Sequence, residues 1–286
     1  MMWGWRRDGV VTEIRLPESI ETERLVLRPW TEADVPALYA AVDASRERIG
    51  AWLPWVAFYT DPSAAATFVA RARQGWLTGT EVPLAVVERA SGRILGGVGF
   101  HGTVPGDPIR WEHGVIETGY WLRDGEEGKG YMREAVRAEI RLVFAHLGLD
   151  KLVIRADARN RPSRRVAEAL GFQLDAILRN HLRTDSGELR DTCVFSLLRD
   201  EALPLIAGWS NDHVRITWSE RPVTPPEPPP EPPLPDGASS SSSSSSVMAS
   251  RYSGTPCSLR WPTTFSTSSS ETKGPCTRWM RPPPAM

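Results

Sequence analysis

The chain has 286 residues, 41% of them hydrophobic and 24% charged, and its formal net charge is −1. These values are ordinary for a globular protein, and they exclude the global basic field that attracts nucleic acid or an anionic membrane. The sequence has no apolar run of the roughly 18 residues that a membrane-spanning helix needs and no signal-peptide stretch at its N-terminus, so we expect a cytoplasmic protein.

The first third of the chain predicts one strand and two helices. The segment TERLVLRPW (22–30) has the alternation of a half-buried strand. Thr31 and Asp34 then have the spacing of a helix-capping pair, and a second helix is predicted to begin at Pro62, because proline is tolerated in a first turn. Between the two helices lies an aromatic segment, residues 46–58.

The pattern then changes to strands around one long helix. Residues 83–89 and 94–102 predict a hairpin, and residues 113–123 predict a third strand. The helix that follows carries apolar residues at a three-to-four spacing and ends near Gly148. These apolar residues are Met132, Val136, Ile140, Val143 and Leu147.

The last predicted elements complete a mixed α/β domain. They are a strand at 151–157, a short helix at 159–172 and two final strands in FQLDAIL and DTCVFSLL. We therefore expect a central mixed β-sheet with flanking helices, a strand–loop–helix–strand unit at its centre and a terminal hairpin.

The composition shifts sharply near residue 219, where a tail rich in proline and serine begins. Fifteen of the 25 prolines lie between residues 222 and 284, and residues 239–246 are all serine. We expect 219–286 to be disordered, because it has too few aliphatic residues to offset ordering entropy. Alternatives are a proline-rich docking ligand and a misread frame. The predicted division is an extension (1–20), a domain (21–218) and this tail.

The loop RDGEEGKGY, residues 123–131, joins the third strand of the series to the long helix. A plain turn would also use glycine, but glycines at a helix N-terminus can expose free amides to an anion. A Walker loop fails because Gly130 follows Lys129, and a dinucleotide fingerprint fails because Arg133 replaces a glycine. The remaining pattern is the x-x-x-Gly-x-Gly loop that binds the pyrophosphate of coenzyme A.

Cysteine and histidine indicate no metal site. Cys193, Cys257 and Cys276 are far apart and odd in number, and the five histidines form no HExxH-like pair. We therefore expect neither a metal cofactor nor a disulfide framework.

Several ordered motifs over residues 20–201 resemble the GNAT N-acetyltransferases, and in particular their RimJ/RimL-like branch. They are TERLVLRPWTEADVPALY, AWLPW, GYWLR, GEEGKGYMREA, LVIRADARN, PSRRVAEALGF and DTCVFSLLRDE. The resemblance implies a GNAT fold and an enzyme that transfers an acetyl group from acetyl-CoA to a primary amine.

The resemblance also implies roles for individual residues. Ser163 would protonate the leaving thiolate, although Ser163 and Asn160 also fit a plain helix cap. Coenzyme contacts would come from the strand end, the loop amides and the start of the next helix. These residues are Tyr120, Trp121, Leu122, Arg123, Glu126, Glu127, Gly128, Lys129, Gly130, Tyr131, Asn160 and Ser163.

The chain departs from the family pattern at two points. Gly125 stands where the loop often begins with Gln or Arg, and Arg183 or a neighbour replaces a glutamate found before the last turn in some members. The general base is therefore open, with Glu117, His101 and His181 as candidates beside their ordinary structural roles. Trp52, Trp55 and Phe58 are either an aromatic wall of the acceptor cleft or core residues.

An acceptor with a low pKa suits an enzyme without an evident strong base. At pH 7 an α-amine is on the order of 10–20% neutral, whereas a lysine side chain is roughly 0.04% neutral. We therefore expect the acceptor to be a protein N-terminus, such as that of a ribosomal protein. The alternatives are a small-molecule amine and a non-catalytic acyl-CoA-binding module. We expect no nucleic-acid or membrane partner, and a monomer or a homodimer.

Overall fold

A computed structural model describes residues 13–104, 106–184, 187–209 and 213–225. All of these lie in one unit of the chain, Met1–Glu231, and a second unit, Pro232–Met286, falls outside the described residues. The strands in chain order are β1 (Pro17–Glu21), β2 (Leu25–Pro29), β3 (Val82–Glu88), β4 (Ile94–His101), β5 (Val115–Leu122), β6 (Lys151–Asp157), β7 (Gln173–Arg183), β8 (Leu189–Leu198) and β9 (Arg215–Trp218).

The helices lie between these strands. They are α1 (Val35–Ala44), α2 (Arg46–Gly50), α3 (Pro62–Thr78), α4 (Tyr131–Ile140), α5 (Arg161–Ala169) and α6 (Arg199–Gly208), with 3-10 turns at Glu32–Asp34, Pro54–Phe58 and Trp111–His113. In the described residues the strands form a nine-stranded sheet in the order β7-β8-β6-β5-β4-β3-β2-β1-β9. The mixed α/β prediction, with its central strand–loop–helix–strand unit and terminal hairpin, is confirmed.

The apolar patterns explain how these elements pack. Leu25 and Leu27 of β2 are fully buried, as the alternation predicts, and α4 buries its apolar face in the same core cluster. The predicted long helix differs in one detail, because its last six residues, Arg141–His146, form a π-helix. The three-to-four spacing fits an α-helix, and it gave no signal for this short π-helical turn with its i→i+5 hydrogen bonds.

The sheet splits at its centre, between β5 and β6. These strands run parallel but are paired only from Val115 to Glu117, opposite Lys151 to Val153. Beyond that point β5 continues beside β4 as far as Leu122, and β6 continues beside β8. The two strands therefore diverge and leave an opening in the middle of the sheet.

The described sheet extends beyond the predicted domain limits of 21 and 218. Four of the five residues of β1 lie inside the predicted extension, and β1 pairs with β2 and β9. Val223 lies inside the predicted tail, is buried, and exchanges two backbone hydrogen bonds with Ile14, at 2.8 and 2.7 Å. Such short edge pairings carry no periodic signal in the sequence. Residues 1–12 and 226–286, the rest of both predicted segments, lie outside the described residues.

Candidate active site

A cleft of about 640 Å³ opens where β5 and β6 diverge. Its walls come from β5, β6, α2 and the turn after it, the 123–130 loop, and α5. Residues that line it include Arg48, Trp52, Thr118, Tyr120, Trp121, Leu122, Gly128, Gly130, Tyr131, Arg155, Asp157, Asn160 and Ser163. The cleft thus brings together most of the predicted coenzyme contacts.

One edge of β5 faces this cleft without a strand partner. The amide of Arg123 donates to Leu95 O at 2.8 Å, so it points towards β4 and is engaged in the sheet. Backbone groups alternate along a strand, so those of Tyr120 and Leu122 point to the opposite edge. Among the described residues, pairing on that edge ends at Glu117. An extended ligand that carries amide groups can pair there as an added strand.

The loop between β5 and α4 owes its shape to glycine. Gly125, Gly128 and Gly130 have φ values of +78°, +73° and +83°, a region that side chains with a Cβ rarely adopt. A Cβ built on Gly128 would meet no atom within 4 Å, so the backbone angle rather than crowding requires glycine there. The amide of Glu126 already donates to Arg123 O at 3.3 Å, which leaves the later loop and the start of α4 as amide donors.

One basic side chain from the β3–β4 turn and one from the loop itself neutralise the loop carboxylate Glu126. Glu126 is buried and lies 2.8 Å from Arg93 and 3.0 Å from Lys129. Burial on its own raises the pKa of Glu126, but the hydrogen bonds from Lys129 and Arg93 outweigh it and hold the pKa below its usual range. Lys129 is therefore engaged by Glu126 of its own loop, and it does not line the cleft.

Two further arginines hold the loop, and sequence reasoning missed both. Arg24, in the β1–β2 turn, donates to Lys129 O at 2.9 Å and pairs with Glu134 of α4 at 2.6 Å. Arg48 of α2 pairs with Asp124 at 2.8 Å and also contacts Glu127. These contacts join residues roughly 75 to 110 positions apart, and no spacing rule could find them.

Tyr120 and Ser163 meet across the cleft. The Tyr120 hydroxyl lies 3.2 Å from Ser163 Oγ and donates to Ser163 O at 3.1 Å. Burial raises the pKa of Tyr120 to about 12, so the phenol keeps its proton at neutral pH. Asn160 caps α5, because its Oδ1 accepts a hydrogen bond from Ser163 N at 3.2 Å. The predicted acid thus sits at a capped helix start beside Tyr120, which the sequence predicted only as a coenzyme contact.

The base candidates are more scattered. Glu117 is buried, 2.6 Å from Arg155 and 4.0 Å from His101 Nε2, and it lies outside the residues that line the cleft. His181 Nδ1 lies 3.0 Å from Thr192 Oγ1 on the β7–β8 hairpin. Arg183, one of the residues expected near the place of the family's glutamate, donates to Gly187 O.

The aromatic segment is divided between the cleft and the core. Trp52 and Trp121 line the cleft, whereas Trp55 packs edge-on against Trp121 with ring centroids 6.0 Å apart. Phe58 is 77% exposed and does not line the cleft, so neither of the two alternatives for these aromatic residues, an acceptor wall or the core, describes it. Trp52, which reaches the cleft, precedes the 3-10 turn Pro54–Phe58, whereas Trp55 and Phe58 lie within it and do not line the cleft.

The described part of the chain contains no group of three or more His, Cys, Asp or Glu residues arranged to hold a metal ion. It also contains no helix long and apolar enough to cross a membrane.

Comparisons with known proteins agree with this geometry. A family model described as an acetyltransferase (GNAT) domain matches residues 24–173. The chain is 28% identical over 186 residues to "Uncharacterized N-acetyltransferase p20" of Bacillus licheniformis, covering 64% of this chain and 98% of that protein. It is 29% identical over 185 residues to "Putative ribosomal N-acetyltransferase YdaF" of Bacillus subtilis (strain 168), covering 63% of this chain and 93% of that protein.

A solved structure shows the same fold. RimL, a ribosomal L7/L12 α-N-protein acetyltransferase in complex with coenzyme A, has a TM-score of 0.57 and 21% identity, covering 65% of this chain and 99% of its own. The family match spans more than half of the chain and includes the strand, the glycine loop and the helix that frame the cleft. The chain therefore belongs to the GNAT acetyltransferases, resembles their RimJ/RimL-like branch, and is an N-acetyltransferase.

Proposed function

We propose that this enzyme transfers the acetyl group of acetyl-CoA to the α-amine of a protein N-terminus. The observation that carries the proposal is the unpaired edge of β5, which runs directly into a glycine loop at the N-terminus of α4. GNAT acetyltransferases use acetyl-CoA, and the names of YdaF and RimL support a protein acceptor.

The site fits the chemical groups of acetyl-CoA. Its pantetheine arm carries amides that suit the backbone groups of Tyr120 and the amide of Leu122, whose carbonyl already accepts a hydrogen bond from Arg48. Its pyrophosphate suits the amides from Gly128 to Tyr131. The α4 macrodipole adds roughly half a positive charge at that end. Because Arg48, Arg93 and Arg24 pair with the acids around the loop, a bound phosphate would meet little residual negative charge there.

Acetyl transfer then needs an oxyanion site and a proton for the leaving thiolate. Backbone amides on the cleft edge of β5 would stabilise the oxyanion as the amine nitrogen attacks the thioester carbon. When the carbon–sulfur bond breaks, the thiolate would take the proton of Ser163 Oγ. The proton released by the acetylated nitrogen would pass to water, and Ser163 would regain a proton from the same solvent. Tyr120 would hold the Ser163 hydroxyl in place, since the two side chains are 3.2 Å apart.

The candidate bases near the cleft are all engaged by neighbouring groups, which favours an acceptor amine that is already partly deprotonated at neutral pH. Glu117 is engaged by Arg155, and both histidines bond to neighbouring groups. An α-amine is on the order of 10–20% neutral at pH 7, a few-hundredfold more than a lysine side chain. The enzyme would therefore acetylate N-terminal amines faster than lysine side chains.

The test is calorimetric titration of the full chain with acetyl-CoA, followed by a thiol-release assay on Ser- and Ala-starting peptides. Micromolar binding with release on peptides that have a free N-terminus supports the proposal, and N-terminally blocked peptides that contain lysine are the control. Thiol release only with small amines would mean that the acceptor is a small-molecule amine and not a protein N-terminus. Binding without release on any amine would instead leave an acyl-CoA-binding module.

A further inference from the structure

A short segment crosses the opening between the diverging strands. It consists of α2 and the turn after it, residues 46–53, and we call it the bridging segment. Ile49, Trp52 and Leu53 of this segment line the cleft. The bridging segment therefore forms one wall of the cleft.

Arg48 fixes one end of the bridging segment to the coenzyme side. Its Nη2 donates to Leu122 O on the unpaired edge of β5, at 2.7 Å, and its Nε donates to Asp124 at 2.8 Å. The same guanidinium contacts Glu127 in the glycine loop. A planar arginine fork can hold two carboxylates and a carbonyl at once, which a lysine ammonium on a flexible stem does poorly.

Arg190 of β8 fixes the other end. It donates to Ala51 O at 2.6 Å, lies 3.3 Å from Asp157 at the end of β6, and stands 5.6 Å from the centroid of the Trp52 ring. The bridging segment is thus attached to β5 by one arginine and to β6 and β8 by another. Neither arginine was found by sequence reasoning.

The two attachments differ in their relation to a bound anion. Asp124 and Glu127 flank the loop amides, so they repel a pyrophosphate unless a cation neutralises them. Arg48 is their cation, and it is half-exposed and lines the cleft. An anion on the loop also attracts Arg48 directly, and this strengthens the attachment. Arg190 faces Asp157 and Glu188 instead, away from the loop.

We propose that Arg48 is a positioning residue that couples the two halves of the cleft. Coenzyme bound at the glycine loop tightens the attachment of Arg48 and so immobilises the bridging segment, including Trp52, as the wall against which the acceptor binds. This inference rests on the proposed function, because it requires that the loop binds coenzyme A.

The experiment uses the full chain and coenzyme A as the probe. Affinity is measured by calorimetry, and backbone mobility by hydrogen exchange of peptides that cover residues 46–53, with and without saturating coenzyme. In the unmodified protein, coenzyme A should slow exchange across the bridging segment. In R48M, the affinity should fall by about tenfold, because Asp124 and Glu127 lose their counter-charge, and saturating coenzyme should no longer slow exchange.

Two variants separate charge from geometry. R48K restores the positive charge but not the fork, so it should recover most of the affinity and little of the protection; it also serves if R48M does not fold. R190M should speed exchange of the same segment in the free protein while the affinity for coenzyme A and the protection on binding persist.

The outcomes are distinct. If the unmodified protein binds no coenzyme A, the proposed function itself fails. If it binds, and R48M still shows coenzyme-dependent protection of residues 46–53, only the coupling role of Arg48 is overturned. Equal loss of protection in R48M and R190M would also overturn it, since the effect would then reflect general loosening of the segment.

Discussion

Glu139 is a fully buried carboxyl on α4, directly behind the cleft. Its Oε2 accepts a hydrogen bond from Thr118 Oγ1 at 2.7 Å, and its Oε1 has no hydrogen-bond partner among the described residues. Burial raises the pKa of Glu139 to about 8, against the weaker opposing effect of Thr118. The side chain is therefore neutral at pH 7, which avoids the cost of an unpaired charge in the core.

Substitution of Glu139→Gln should flatten the pH dependence of stability. The folded pKa lies above the unfolded one, so stability is lost as pH rises from about 4.5 to about 8, at roughly 1.4 kcal/mol per unit. Glutamine has the same shape as the neutral glutamic acid but does not ionise. The difference in unfolding free energy between the Glu139→Gln variant and the wild type should therefore change by about 3–5 kcal/mol in favour of the variant as the pH rises across this range. Urea unfolding at pH 5 and pH 8 measures it.

Glu168→Gln is the matched control for that measurement. Glu168 is exposed on α5 and forms only a surface pair with Arg164, so its replacement should leave the pH dependence unchanged. The same pH profile in the Glu139→Gln variant and the wild type would mean that Glu139 is ionised in the folded protein.

At the scale of the element, the sequence predicted the glycine loop but not the arginines that pair with the acids around it. The spacing of Gly128 and Gly130 and the helix after them indicated an anion site, since both signals are local in the chain. The sequence explained Gly128 by the access that a missing Cβ gives to an anion. In the structure a Cβ at Gly128 would meet no atom within 4 Å, so within the free protein only the positive φ favours glycine. The arginines that neutralise the loop could not be predicted, as they come from β1–β2, α2 and β3–β4.

Gly128→Ala should separate the cost to folding from the cost to binding. Its matched control is Gly92→Ala in the β3–β4 turn, where φ is +71° and a Cβ again meets nothing within 4 Å. Both variants should lose about 1 kcal/mol of stability to the left-handed backbone angle. Only Gly128→Ala should weaken coenzyme A binding in calorimetry, because Gly128 lines the cleft. Equal affinity in both variants would reject the loop as the pyrophosphate site.

At the scale of the whole molecule, residues from the two ends of the described chain pair with each other. Val223 pairs with Ile14 and packs over Gly79, the left-handed residue that ends α3. Trp111 donates to Gly79 O at 2.7 Å in the same place. A contact between residues near positions 14, 79, 111 and 223 ties together segments that the sequence had divided among an extension, a domain and a tail.

Val223→Ala should therefore destabilise the full chain by about 1–3 kcal/mol, from lost apolar burial and the cavity left behind. Thermal or urea unfolding measures the change. Val104→Ala is the matched control, because Val104 is 56% exposed and its truncation should change little. Equal stability of the two variants would mean that Val223 contributes nothing to the stability of the domain and belongs with the predicted tail.

Sequence alone determined the features that are local or periodic. The mixed α/β order, the glycine loop before α4 and the cap at Asn160 all follow from residues within a few positions of one another. These features were sufficient to identify the family resemblance and hence the expected chemistry.

Only the tertiary structure decided what the cleft contains. The divergence of β5 and β6, the Tyr120–Ser163 contact and the two arginines of the bridging segment join residues 30 to 140 positions apart. Such contacts depend on how the strands and helices pack together, and that packing is set by the whole core rather than by spacing along the chain.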